Sequence, residues 1–320
     1  MVGTLRSNPG AARFTFNNHE HWTTNNEVEG GYGVSSNAQR VAVVTGASRG
    51  AGKGIALALA KPGTTVYVTG RSQKTGDAAL PGTVFETAQE VTNRGGVGVP
   101  VVCDHGDDAA VAALFDQVRN DHGRLDILVN NALHVHDELT TPGGFWEKPL
   151  SLQTVFDVGT RSSYVASWHA APLLVNNGKG LIVNTSSFAG RCYMHGPAFG
   201  AGKAAVDKMA HDMAIDLKPH GVAAISLWMG MLKTERSTAA MEHNPEAYES
   251  FWDSAESAEF PGLVIDALYN QPDLMERTGQ VLIGAEVAEE LGLADVDGAQ
   301  PPSHRPMLGD PPVFSDAVVA

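Results

Sequence analysis

Cysteine is scarce in this chain: only Cys103 and Cys192 occur in 320 residues. No disulfide framework is implied, and a reducing compartment fits. Basic side chains are also few, with 22 Lys and Arg against 36 Asp and Glu and a formal net charge of −14. That balance opposes non-specific attachment to nucleic acid or to an anionic membrane. No apolar run approaches the ~18 residues of a membrane span. Residues 1–38 lack the basic start and apolar stretch of a secretory signal. A cytoplasmic protein is expected. Hydrophobic content of 43% with 18% charged residues marks a globular chain with ample core, long enough for one large α/β domain or two ordinary ones.

The most informative stretch runs from Val41 to Ile55 and reads strand, glycine loop, helix. Val41–Val44 is an unbroken apolar run, typical of a strand buried on both faces of a parallel sheet. Gly46, Gly50 and Gly52 follow in the spacing Thr-Gly-x-x-x-Gly-x-Gly, one residue wider than the usual dinucleotide fingerprint. Such a turn lets backbone approach a ligand closely, and the next helix would present free N–H groups and a positive dipole end to a phosphate.

From residue 40 strands and helices alternate, the pattern of a doubly wound, Rossmann-like α/β fold with a parallel sheet. Strands are expected at 41–45, 65–69, 98–102, 126–130, 180–185, 222–228 and 280–283. Helices are expected at 53–61, 84–93, 107–120, 151–175 and 198–217. Val111, Leu114, Phe115 and Val118 fall on one helical face. Nothing divides residues 39–296, so a single domain is expected there. It is preceded by a polar arm at 1–38 that reads as disordered or surface-draped. The insertion 231–262 carries Met231, Met241, Tyr248, Phe251, Trp252 and Phe260. It leaves the end of the sixth strand, where open α/β sheets bind ligands, so it is the natural substrate lid. Residues 297–320 are proline-rich and read as an extended or disordered tail.

Over roughly residues 40–295 the chain resembles the short-chain dehydrogenase/reductase family. The matching pieces are Thr45-Gly46 with Gly50 and Gly52, Cys103-Asp104, Asn130-Asn131-Ala132, Ser187 in Asn-Thr-Ser-Ser-Phe-Ala-Gly, and Lys203. Phe145–Pro149, Val158–Arg161, Ser226–Trp228 and Leu293–Gly298 are similar to the subgroup of dehydrogenase/reductase member 1. The resemblance implies that the loop Thr45, Gly46, Ser48, Arg49, Gly50 and Gly52 holds the pyrophosphate and adenosine ribose. It places Asp104 at the adenine amino group, and Val129 and Asn130 beside the adenine-side ribose, with Asn131 and Ala132 next in the same motif. Lys203 would bind the nicotinamide ribose, and Thr234, after Gly230, the carboxamide end. It also implies a small-molecule carbonyl or alcohol as substrate, and a homodimer or homotetramer.

Charge argues for the form of the cofactor. Enzymes that prefer NAD place a carboxylate at the end of the second strand, on the ribose 2′-hydroxyl. Here that strand ends Val68-Thr69-Gly70-Arg71. Arg71 and Arg49 could instead flank a 2′-phosphate with charge-assisted hydrogen bonds, so NADP(H) is expected.

The pattern breaks at one position. The family's proton-transferring Tyr lies four residues before the Lys, and its oxygen-polarising Ser about twelve before that. Counting from Ser187 and back from Lys203 gives Phe199. A phenyl ring has no proton to give, and losing a general acid costs about 10²–10⁴ in rate. Three explanations are open. The change is an introduced Tyr→Phe replacement; or it is a natural divergence with another donor, for which Tyr193 and His195 are candidates; or the chain binds NADP(H) for a non-redox or regulatory role. Other departures are Gly159 for an Asn on the fourth helix, Leu133 after Asn-Asn-Ala, and Met229 before Gly230. Leu133, Tyr193, His195 and Met229 are expected to line the substrate pocket. His134, His136, Asp137 and Glu138 are ligand types, but no second cluster supports a metal, and none is expected. Ser162, Ser163 and Ser167 with Tyr164 have no base at triad-like spacing.

Overall fold

The computed structural model describes residues 40–319; the expected arm at 1–38 lies outside the described residues. The strands are β1 (Arg40–Val44), β2 (Thr64–Gly70), β3 (Val97–Val102), β4 (Ile127–Asn130), β5 (Gly180–Ser186) and β6 (Val222–Trp228), then the short β7 (Leu232–Lys233) and β8 (Glu256–Ser257), and finally β9 (Val281–Ile283). Seven of them form one sheet in the order β3-β2-β1-β4-β5-β6-β9, every neighbouring pair parallel. The order reverses between β1 and β4, and such a switch point opens a crevice at the carboxyl ends of the two strands.

The helices are α1 (Gly50–Ala58), α2 (Val84–Asn93), α3 (Asp108–His122), α4 (Ser162–Asn177), α5 (Pro197–Leu217), α6 (Glu235–His243), α7 (Pro245–Trp252), α8 (Phe260–Asn270), α9 (Gly284–Leu291) and α10 (Arg305–Leu308). The two-residue period of each strand sorts its side chains onto the two faces of the sheet. Ala42, Val44, Val66 and Val68 pack with Ile55, Leu59 and Phe260, from α1, the residue that follows it, and α8. Val41, Val43 and Tyr67 pack with Phe115, Ala170 and Leu217 of α3, α4 and α5. Val111, Leu114, Phe115 and Val118 are all buried, as their spacing predicts. Each such aliphatic side chain contributes about 1.5–3 kcal/mol when fully buried.

Two helices differ from the sequence expectation. α1 starts at Gly50, inside the glycine loop rather than at 53. The single helix expected over 151–175 is broken. A turn at Leu150–Gln153 leads into a wide π-type turn at Phe156–Arg161, where Val158 (φ −113°) and Gly159 (φ 150°, ψ −64°) leave helical geometry before α4 begins. A side chain at Gly159 would be strained at that φ and would meet Leu133 Cδ1 at 2.7 Å.

The stretch after β6 folds as β7, α6, α7 and β8, with β7 and β8 paired in a small parallel ladder. The proline-rich segment beyond residue 297 lies against the body. Arg305 pairs with Glu286, and the Phe314 ring sits 5.1 Å from that of His211. Among the described residues no helix is long and apolar enough to cross a membrane.

Candidate active site

Thr45 leaves the end of β1 beside the end of β4 and ties the two together. Its Oγ1 accepts the N–H groups of Asn131 (2.8 Å) and Ala132 (2.9 Å). Asn131 Nδ2 in turn donates to the Thr45 and Gly46 carbonyls at 2.9 and 3.2 Å. The loop is closed so tightly that a Cβ on Gly52 would stand 2.3 Å from the Gly46 carbonyl oxygen. α1 then begins with no side-chain cap from Arg49, so its first N–H groups need partners from elsewhere. One is found: Gly50 N–H donates to Glu235 Oε2 at 2.8 Å.

A cleft of about 690 Å³ runs from this loop along the strand ends, within the ~300–1,000 Å³ range of small-molecule sites. It brings together Gly46, Ser48, Arg49, Gly50 and Gly52 of the loop with Arg71, Asp104, Asn131, Ala132 and Leu133. Lys203 and Met229 also line it, and Thr234 closes it beside Gly50 of the loop. Arg49 is already engaged, donating to Pro81 O, Gly82 O and Ser72 Oγ at 2.7–2.9 Å. Arg71 is mostly exposed, with Asp104 3.9 Å away. Asn130 is turned inward instead: its Nδ2 donates to Ser167 Oγ and Asn184 Oδ1, both at 2.9 Å. Its side chain holds strands and helix together, while Asn131 meets the cleft. Gly230 sits just behind the wall, its N–H donating to Glu256 Oε1.

At the far end Lys203 Nζ donates to the Thr185 carbonyl at 3.0 Å. Burial pulls its pKa down to about 8, against the pull of Asp207. The Phe199 ring is 9% exposed, lies 5.6 Å from Lys203 Nζ and is packed against Leu139, Ala189, Leu133, Leu152 and Met194. Ser187 opens the short turn Phe188–Gly190, its Oγ accepting from Ala189 N–H at 3.3 Å. A second, small cavity of about 10 Å³ lies among Asn130, Gly159, Thr185, Phe199 and Lys203, the lower limit for one water.

The two candidate donors separate. His195 takes φ 58°, and its ring lies 5.3 Å from that of Phe199; burial, with Lys148 nearby, holds its pKa below the usual histidine value. Tyr193, by contrast, is 85% exposed and turns to solvent; Ser187, Tyr193 and His195 all stand outside the residues that line the cleft. Among the described residues no three metal-ligating side chains cluster; His136 is hydrogen-bonded to Ser151 Oγ and to Glu138 N–H.

Sequence reasoning missed Glu235, Glu256 and Asp207. Asp207 is fully buried beneath Lys203 and accepts from Ser226 Oγ at 2.5 Å and Trp228 Nε1 at 3.0 Å. Its place four residues after Lys203, one turn along α5, was the available signal. Glu235 and Glu256 have no local pattern, because their partners come from other elements.

The short chain dehydrogenase family profile matches residues 40–245. Dehydrogenase/reductase SDR family member 1 of mouse is 44% identical over 270 residues, covering 81% of this chain and 84% of the relative. The human protein of that name is 43% identical over the same shares. Among solved structures, a short-chain type dehydrogenase/reductase from Mycobacterium marinum superposes with a TM-score of 0.63 at 25% identity, covering 77% of this chain and 94% of that one. With the glycine loop on a seven-stranded parallel sheet and Lys203 at the opposite end of one cleft, these matches make the chain a member of the short-chain dehydrogenase/reductase family.

Proposed function

We propose that this chain is an NADP(H)-dependent oxidoreductase that reduces a carbonyl or oxidises a secondary alcohol. The observation that carries the reading is the single cleft that links the glycine loop and Arg71 to Lys203. Its lining fits such a cofactor. A crowded loop with main-chain N–H groups at a helix start suits a pyrophosphate. Two arginines and no carboxylate at the end of β2 suit a 2′-phosphate. Asp104 offers an acceptor for the adenine amino group, and Lys203 a donor for the nicotinamide ribose. When bound, the nicotinamide supplies or accepts the hydride.

Ser187 Oγ then donates to the substrate oxygen, with Leu133 and Met229 of the cleft lining and His195, beside Phe199, around it. Position 199 offers no proton. The titratable ring beside it is His195, whose burial, with Lys148 nearby, holds its pKa below the usual histidine value and favours the neutral ring. The apolar packing of Phe199 favours a second reading, a binding protein that keeps the cofactor and has lost turnover. The substrate is a small molecule in either case. Tyr164 and Trp168, both exposed on α4, support assembly into a homodimer or homotetramer, and free thiols at Cys103 and Cys192 support a cytoplasmic setting.

The test is NADPH consumption by the chain and by its Phe199→Tyr variant over a panel of ketones and aldehydes. A gain of about 10²–10⁴ in the variant is expected if a general acid is all that is missing. Equal rates would move the donor to His195. Tight NADPH binding with no turnover in either would leave the binding-protein reading. Failure of both proteins to bind NADPH would sink the proposal.

A further inference from the structure

Glu256 lies near the end of the lid and is 3% exposed. Its Oε1 accepts the Gly230 N–H at 2.9 Å, and its own N–H donates to the Met231 carbonyl at 2.8 Å. Its Oε2 is buried and has no hydrogen-bond partner among the described residues. The next residue is anchored as well: Ser257 N–H and Oγ both donate to the Asp295 carboxylate, at 2.7 and 2.5 Å. A carboxyl from β8 thus reaches back and grips the chain directly after β6. That chain leaves the sheet at Trp228 and supplies Met229 and Thr234 to the cleft wall.

Glu256 itself does not line the cleft. Half of its carboxyl is buried without a partner, an arrangement that costs free energy and that an apolar side chain of similar volume would avoid. What an apolar side chain could not do is accept the Gly230 N–H. Burial, opposed by the Gly230 N–H and reinforced by Asp295, pushes the pKa of Glu256 up to about 8, so at neutral pH it is largely a neutral acceptor whose amide isostere is Gln.

We propose that Glu256 is a positioning residue for the cofactor: through Gly230 it fixes the course of residues 229–234 along the cleft, and with it the placement of Thr234. This rests on the nicotinamide-cofactor reading above.

The experiment compares the full chain with Glu256→Gln, Glu256→Met and Glu256→Asp. NADPH affinity is read by cofactor fluorescence, melting temperature by circular dichroism, and amide exchange over 229–234 by mass spectrometry. Gln keeps the acceptor and is expected within about threefold of the parent affinity. Met fills the space without an acceptor. It should change the melting temperature little, since loss of the unpartnered oxygen offsets loss of the Gly230 bond, speed exchange over 229–234, and weaken NADPH by about tenfold or more, the scale of one lost buried hydrogen bond. Asp withdraws the oxygen by one methylene and should weaken NADPH similarly, which decides the matter if the Met variant does not fold. Parent-like affinity in the folded Met variant, or in Asp where Met does not fold, overturns the inference, as does a loss in Gln equal to that in Met. A parent chain that binds neither NADPH nor NADH overturns the proposed function and this inference together; a binding parent with indifferent variants removes only the inference.

Discussion

The main-chain N–H of Gly50 donates to Oε2 of Glu235 across 2.8 Å, joining the start of α1 to the first turn of α6. A carboxylate at a helix start gains about 0.3–1 kcal/mol from the dipole, and it holds the place an anionic phosphate would take. Replacing Glu235 by Ala is therefore expected to lower stability by a similar small amount. The same change should tighten NADPH about three- to tenfold, by removing a like charge from the anion site. Titration calorimetry of the two proteins checks this; weaker binding in the variant would mean that the carboxylate holds the lid over the cofactor instead.

Arg71 is mostly exposed and can turn toward a ligand; among the described residues its one ion-pair contact is Asp104 at 3.9 Å. Arg71→Ala should weaken NADPH by about ten- to a hundredfold, the scale of a lost charge-assisted hydrogen bond, and leave NADH unchanged. Equal losses for the two cofactors would show that the arginine does not read the 2′-phosphate.

Gly52 has no room for a methyl group, with Gly46 O at 2.3 Å and Asn131 Nδ2 at 2.5 Å from its Cβ position. Gly52→Ala should cost about 1–3 kcal/mol in urea unfolding and abolish NADPH binding. A variant of parental stability and affinity would show that the loop is looser than its contacts imply.

Asp207 satisfies both Ser226 and the Trp228 indole inside the sheet. Asp207→Ala leaves the buried Trp228 N–H unpaired and the Ser226 hydroxyl with only the Asn184 carbonyl at 3.4 Å, and should destabilise the fold by about 2–4 kcal/mol. Tryptophan emission during urea denaturation reports the loss, and a cost under about 1 kcal/mol would argue that water replaces the carboxylate.

Glu256 also ties stability to pH. Its carboxyl titrates near 4.5 when unfolded and at about 8 in the fold. The folded chain thus holds the extra proton between those values, and stability falls as pH rises through that window. Relative to Glu256→Gln, the parent should match best near pH 4.5, lose ground steadily to about pH 8, and run parallel above it. Urea midpoints across that range test the slope; parallel midpoints throughout would place the carboxyl's titration at its ordinary value.

Much of this architecture was legible in the residues. Val41–Val44 and the period of α3 were readable because burial on a sheet or a helix face repeats every two or 3.6 residues. The glycine loop is readable from its spacing, and Lys203 through the family resemblance alone. Gly159 hid its break, since apolar spacing continues across it and only the backbone departs from the helix. Tyr193 looked like a pocket residue because it follows Ser187 closely, yet the short turn at Phe188–Gly190 and the left-handed His195 aim the chain so that histidine faces Phe199 and tyrosine faces solvent. Glu235 and Glu256 act on residues 185 and 26 positions away, and no window of sequence joins such pairs.

The clamp at Thr45 has a consequence for the energetics of binding. One hydroxyl holds two amides of the neighbouring strand end, at the reversal of strand order where the sheet would otherwise splay. The crevice mouth is set by bonds made during folding, so an arriving dinucleotide meets a gap of fixed width and spends little of its affinity on stilling the walls. Thr45→Val would keep the volume and release the two amides. Its signature would be a larger entropic penalty on association, with the contacts to the ligand unchanged.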